Sequence, residues 1–164
     1  MVQAKIVVRK AQQEDRLPLY RMLEFYQHDL SDIWDQDLDL HGEYGYALDR
    51  FWHDADCHPF VALVDGKYAG FALVDGSVKV GECGHWMDQF FVMKKYRRLG
   101  VGKELAMQVF AALPGHWEVG QMANNLAAQI FWRAVIGHIT RRDYEEHALT
   151  EGWWQGQVQV FEAN

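Results

Sequence analysis

The stretch from Asp88 to Phe110 constrains the chain more than any other. Phe90, Phe91 and Val92 are strand formers. Arg97, Arg98 and Lys103 surround Gly100 and Gly102 in a turn rich in cations and glycine. From Val101 onward, Leu105, Val109 and Leu113 recur at helical spacing with Ala106 and Phe110 beside them, and Pro114-Gly115 stops the run. The segment therefore reads as strand, tight basic turn and amphipathic helix. The first N–H groups of a helix have no internal partner and sit at its positive end. Glycines let an anion approach those amides, and the three cations add charge around them. A diphosphate is the natural guest of such a turn.

Three phosphate motifs compete for this turn. A Walker A loop fails twice, because Arg97 stands where its first glycine belongs and Glu104 follows Lys103. The dinucleotide fingerprint fails at its third glycine, which is Leu105. Arg97-x-x-Gly100-x-Gly102 fits a third pattern, Arg/Gln-x-x-Gly-x-Gly/Ala. With its strand before and helix after, it resembles the pyrophosphate loop of the GCN5-related N-acetyltransferase (GNAT) superfamily.

A length of 164 residues suits one domain spanning 1–164 with a proper core. No apolar run approaches membrane-spanning length, and the N-terminus lacks a signal peptide's apolar region, so no membrane partner is expected. Two cysteines, Cys57 and Cys83, are too few for a disulfide framework. A cytoplasmic location is the expectation. A net charge of −7 disfavours nucleic acid as a partner.

Taken in order, Lys5–Arg9 reads as a strand and Asp15–Leu30 as a helix. Residues 28–46 gather Asp29, Asp32, Asp35, Asp37, Asp39 and Glu43 around Trp34, Tyr44 and Tyr46. Two readings stay open. One is a solvated acidic loop. The other is an acceptor wall, with Asp32, Trp34, Asp35 and Tyr44 attracting an ammonium through charge and aromatic faces. An EF-hand is excluded by spacing. Ala47–Asp54 reads as a further short helix. His53-Asp-Ala-Asp-Cys-His58 matches no trusted zinc spacing, so no metal is expected.

Asp65-Gly66 between 60–64 and 68–74 is a hairpin signal. His85–Val92 is the strand feeding the basic turn. His116–Met122 is another. Asn125 or Asn124 caps a helix carrying Leu126, Ile130, Phe131 and Val135, which Gly137 ends. His138–Tyr144 and Gln157–Phe161 close the chain as strands. The order β-α-α-β-β-β-α-β-α-β-β implies an α/β (α+β) architecture, a mixed central sheet of about seven strands flanked by about four helices. It is also the order of the superfamily.

The superfamily's second motif, Asn-x-x-Ala-x-x-Phe-Tyr followed by glycine, is matched by Asn125, Ala128, Phe131 and Gly137. Trp132 replaces the tyrosine often assigned as the acid that protonates the leaving thiolate. An indole is no practical proton source. A thiol of pKa about 8.5 is nonetheless a fair leaving group. Phe131-Trp132 resembles a poorly characterised branch of the superfamily, which supplies no substrate. Trp132 reads equally as core or as cofactor contact.

The resemblance implies acetyl-CoA as co-substrate. It would be held by Arg97, Arg98, Leu99, Gly100, Val101, Gly102 and Lys103, with Asn125, Ala128 and Trp132 along its arm. It also implies a backbone N–H from Phe91, Val92 or Met93 polarising the thioester. Asp88 is the favoured base, or else a strand carboxylate bonded to a neighbour. Simple alternation places Asp88 and Phe90 on one face and Gln89, Phe91 and Met93 on the other. Glu118 is a second base and Tyr144 a remote acid. Two functions follow. One is acetyl transfer, by direct attack in a ternary complex, to a primary amine of a small cationic molecule or peptide. The other is a non-catalytic acyl-CoA-binding regulatory or sensor module. A homodimer is an allowed assembly.

Overall fold

The computed structural model describes residues 3–164. Among them, β1 is Ile6–Lys10, α1 Arg16–Leu30, β2 His58–Val64, β3 Lys67–Asp75 and β4 His85–Val92. They are followed by α2 at Val101–Ala112, β5 at Gly115–Gln121, α3 at Leu126–Ile139, β6 at Glu145–Leu149 and β7 at Gly156–Ala163. The strands form one mixed sheet of seven in the order β1-β2-β3-β4-β5-β7-β6. Every neighbouring pair is antiparallel except β4 with β5.

Each face of the sheet carries its own core. Leu19, Met22 and Leu23 of α1 pack with Phe51, Phe71 and Phe91 on one face. Leu105, Val109 and Phe110 of α2 pack with Val135 and Ile136 of α3, Trp117 and Phe161 on the other. Arg9 and Asp15 lock the first face: Asp15 is fully buried and accepts from Arg9 Nη2 at 2.9 Å, from Tyr68 Oη at 2.5 Å and from the Gln12 N–H at 2.7 Å. The Asp65-Gly66 hairpin forms with both residues at positive φ, 48° and 78°, as a primed turn requires.

Three differences from the sequence reading have local causes. Three α-helices are seen among the described residues, not about four, because 47–54 yields only a 3-10 turn over Asp49–Trp52. Gly42 and Gly45 ahead of it both take positive φ, 76° and 75°, which no helix accommodates. Gly137 does not end α3. The apolar stripe continues through Ile139 into the core, and Arg141 and Arg142 turn the chain at φ 54° and 68°. The next strand therefore starts at Glu145, not His138.

Candidate active site

Among the described residues, the only parallel contacts in the sheet are His85 with Trp117 and Trp86 with Glu118. Beyond Trp86, β4 and β5 diverge. A cavity of about 530 Å³ fills the opening. Asp88, Gln89 and Phe90 line it from β4, Val119, Gly120 and Gln121 from β5, and Asn125, Ala128 and Trp132 from α3.

A β-bulge shapes the β4 wall. Leu73 pairs with Gln89 and Val74 with Met87, so Asp88 is an extra residue with no partner on β3. A bulge re-aims its side chain. Asp88 turns toward the α1 side, where its Oδ2 accepts from Tyr46 Oη at 2.6 Å and Arg50 Nη2 at 3.0 Å. Phe90 instead packs with the α2–α3 core. This corrects the simple alternation that put the two on one face. Arg50 also reaches Asp75 at 2.9 Å. Burial pushes the Asp88 carboxyl above the usual aspartate value and the Asp75 charge adds to the push, against the opposing pull of Tyr46, Arg50 and Lys79.

Backbone direction sorts the amide donors. The Met93 N–H donates to Ala69 O at 2.7 Å. Alternate residues of an antiparallel strand share that direction, so Gln89 and Phe91 also aim their amides at β3. Phe90 and Val92 aim theirs into the opening, and Val92 O faces the same way, accepting from Arg97 Nε at 2.9 Å. Of the three amides named from the sequence, Val92 faces the gap while Phe91 and Met93 do not; Phe90, not named then, does. The Phe90 N–H lies beside the Tyr26 hydroxyl.

The basic turn forms as the sequence indicates. Gly100 caps α2 at φ 80°, with open space where a side chain would sit. Glu104 N–H is the first to find a helical partner, at Gly100 O, so the amides of Val101, Gly102 and Lys103 are free at the helix end. Arg98 and Lys103 are exposed beside them. Arg97 is turned back onto Asp29 and Val92 O and over the Phe91 ring. Gly102 serves packing: a Cβ there would come within 3.2 Å of Phe131 and 3.5 Å of Val92. Leu99 is exposed at the tip of the turn.

On α3, the Asn125 side chain accepts the Ala128 N–H at 3.3 Å as an N-cap. Trp132 is buried edge-on against Phe90, with ring centres 4.7 Å apart, and also lines the cavity. Trp132 is thus a core residue that also presents an edge to the cavity.

The remaining candidates separate. Glu118 is fully buried, and its carboxylate accepts from the N–H groups of Lys79, Val80 and Gly81 at 2.6, 2.9 and 2.7 Å and sits 2.8 Å from His116 Nε2. Burial works against its charge, yet these donors outweigh it and hold the carboxyl below the usual value. That bonding describes an anchor for the loop before β4. Tyr144 packs against the α2–α3 core beside Gly137 and is not among the residues lining the cavity. Of the acidic segment, Trp34 lines the cavity, whereas Asp32 and Asp35 are exposed away from it. The Tyr44 hydroxyl lies 3.5 Å from His28 Nδ1.

Sequence reasoning missed Arg50, Lys79, Trp86, Trp153 and Trp154, and it named Tyr46 as an aromatic of the acidic segment without its bond to Asp88. Trp153 and Trp154 enter from the loop before β7, and the Trp154 ring meets Trp86 edge-on at 5.3 Å. Gly120 admits both indoles, since a Cβ there would lie 2.3 Å from Trp86 and 2.7 Å from Trp154. No local periodicity signals such a meeting.

Comparison with known proteins agrees with this geometry. An acetyltransferase from Thermus thermophilus has a similar structure, with a TM-score of 0.68 at 13% identity over 99% of each chain. The ribosomal-protein-S18-alanine N-acetyltransferase from Escherichia coli gives 0.64 at 14% identity, covering 97% of this chain and 94% of its own. A GNAT-family acetyltransferase from Staphylococcus aureus gives 0.64 at 12% identity, over 98% of this chain and 100% of its own. These are likenesses of fold. No curated protein matches the sequence. The model of the acetyltransferase (GNAT) family matches residues 19–138, and with that span the chain belongs to the acetyltransferase (GNAT) family.

Proposed function

We propose that the chain transfers an acetyl group from acetyl-CoA to a primary amine, by direct attack with both substrates bound. The observation that carries the reading is the gap between β4 and β5. It opens beside the bulged Asp88 with the Val92 amide aimed into it, and from the end of that same strand the chain runs on to the free amides of the α2 N-terminus.

The residues fit the cofactor. The open space at Gly100, the first-turn amides, Arg98 and Lys103 suit a diphosphate. Asn125, Ala128 and Trp132 line the cavity and suit the arm of the cofactor. Acetyl-CoA, when bound, supplies the thioester and a thiol able to leave near neutral pH. The Val92 N–H is a preorganised donor for a carbonyl in the gap, an effect of about 3 kcal/mol per donor in comparable sites, whereas the Phe90 N–H is taken by the Tyr26 hydroxyl. Asp88 takes the proton from the acceptor ammonium on its other oxygen, Oδ1, directly or through water, because Oδ2 already accepts from Tyr46 and Arg50. By holding Oδ2, Tyr46 and Arg50 fix the orientation of the carboxylate.

Asp88 also weighs against a module that only binds acyl-CoA. A half-buried carboxylate held above its usual value by desolvation serves no binding of an anionic cofactor, but it suits a general base. The test is acetyl-CoA-dependent thiol release with a panel of primary amines. Turnover that needs both substrates supports the reading; acetyl-CoA binding without turnover of any amine leaves the binding module.

A further inference from the structure

The cavity holds two charged side chains, Asp88 and Lys79, among its lining residues. Asp88 already faces Arg50 at 3.0 Å. Lys79 has no such counterpart among the described residues. Its Nζ lies 4.0 Å over the Trp86 ring and 5.4 Å from the Trp153 ring, donating to Ser77 O and, at 3.4 Å, to Ser77 Oγ. The carboxylates around it are otherwise engaged. Arg50 takes Asp75 and Asp88, and backbone N–H groups take Glu118. Burial lowers the Lys79 ammonium below its usual value, as expected of a cation partly removed from water without an ion pair.

A cavity charged in this way is not built for a polycation. The carboxylates of the acidic segment lie outside it, and Lys79 repels a second ammonium at the aromatic end. An unpaired cation facing a cavity instead favours an anionic group. Trp86 and Trp153 beside it, and Trp34 elsewhere on the cavity wall, offer flat apolar faces. Asp88 and Trp86 are two residues apart on β4, so the amine end and the anion end lie within reach of one small molecule.

We infer that the acceptor is a carboxylate-bearing aromatic amine of the amino-acid type, its amine directed to Asp88 and its carboxylate to Lys79 Nζ with the ring against the tryptophans. This rests on the transfer reading above and names the substrate class for the same site.

The experiment measures KM and kcat with acetyl-CoA for L-tryptophan and L-phenylalanine against tryptamine, phenethylamine and spermidine, in wild type, Lys79→Met and Lys79→Arg. Wild type should favour each amino acid over its decarboxylated amine by about tenfold in KM, the scale of one charge-assisted hydrogen bond. Lys79→Met should collapse that ratio toward one through KM, and Lys79→Arg should keep it. A wild-type preference for tryptamine or spermidine, or a ratio that survives Lys79→Met, overturns the inference. So does acetylation of no amine in the panel by protein that binds acetyl-CoA in calorimetry. Absence of acetyl-CoA binding would defeat the transfer reading itself, and this inference with it.

Discussion

Tyr46 donates its hydroxyl to Asp88 Oδ2 over 2.6 Å, across 42 residues of chain. The bond ties the irregular segment after α1 to the bulge of β4, and so fixes the one carboxylate placed at the mouth of the split sheet. Burial and the Asp88 charge both push the Tyr46 phenol up, so Tyr46 stays a donor throughout the working pH range. Its part is to orient Asp88.

Asp88→Asn keeps the shape and removes the base. The rate constant for acetyl transfer should fall about 10²-fold or more, with acetyl-CoA affinity retained. The wild-type rate should drop as pH falls through the Asp88 pKa. Because that value is raised, the acid limb should lie above the range of an ordinary aspartate and should vanish in Asp88→Asn. Steady-state pH profiles check both.

Glu118→Gln should act on stability. It replaces an acceptor oxygen facing the loop amides of Lys79, Val80 and Gly81 with a competing donor. A buried group left unsatisfied costs about 1–3 kcal/mol. Thermal unfolding should fall by several degrees, on the order of 2–4 °C per kcal/mol at this size.

Gly120→Ala should push Trp86 and Trp154 apart, because its methyl would lie 2.3 and 2.7 Å from their rings. Overpacking of this kind costs about 1–3 kcal/mol. The acceptor KM should rise more than that of acetyl-CoA, read by varying each substrate in turn.

The Arg9–Asp15 pair should govern acid stability. The hydrogen bond from Arg9 comes first in lowering the Asp15 carboxyl from 3.8 to about 2. Its contribution is therefore complete above pH 3.8 and lost as pH falls through about 2. Arg9 is partly exposed, which discounts the contribution to about 1–2 kcal/mol. Asp15→Asn should lower stability at neutral pH and flatten the acid dependence of urea midpoints.

Local signals in the sequence were strong enough to define β4, the Asp65-Gly66 hairpin, the Gly100 turn and the Asn125 cap, each within a few residues of where it stands. These rest on strand propensity, turn glycines and capping, which act over short distances. The bulge at Asp88 was not legible, because an extra residue shows only when β3 is laid beside β4. The extent of α3 past Gly137 was set by core packing of Ile139, which overrides a glycine's local preference. The tryptophan cleft joins Trp34, Trp86 and Trp153 from three distant segments, so no spacing rule could assemble it. The acidic run at 29–43 drew attention by composition, yet from it the cavity takes Trp34 and Gln36 and leaves the aspartates in solvent.

The most direct test of the central claim is calorimetric titration of acetyl-CoA into wild type and Arg98→Glu. Arg98 is exposed beside the free amides of α2, so its reversal changes charge at the diphosphate site without disturbing a packed core, as Gly102→Glu would against Phe131. The account predicts saturable wild-type binding at one site per chain, weakened at least about tenfold in Arg98→Glu. Folded wild-type protein that gives no binding heat and no competition with coenzyme A would contradict it.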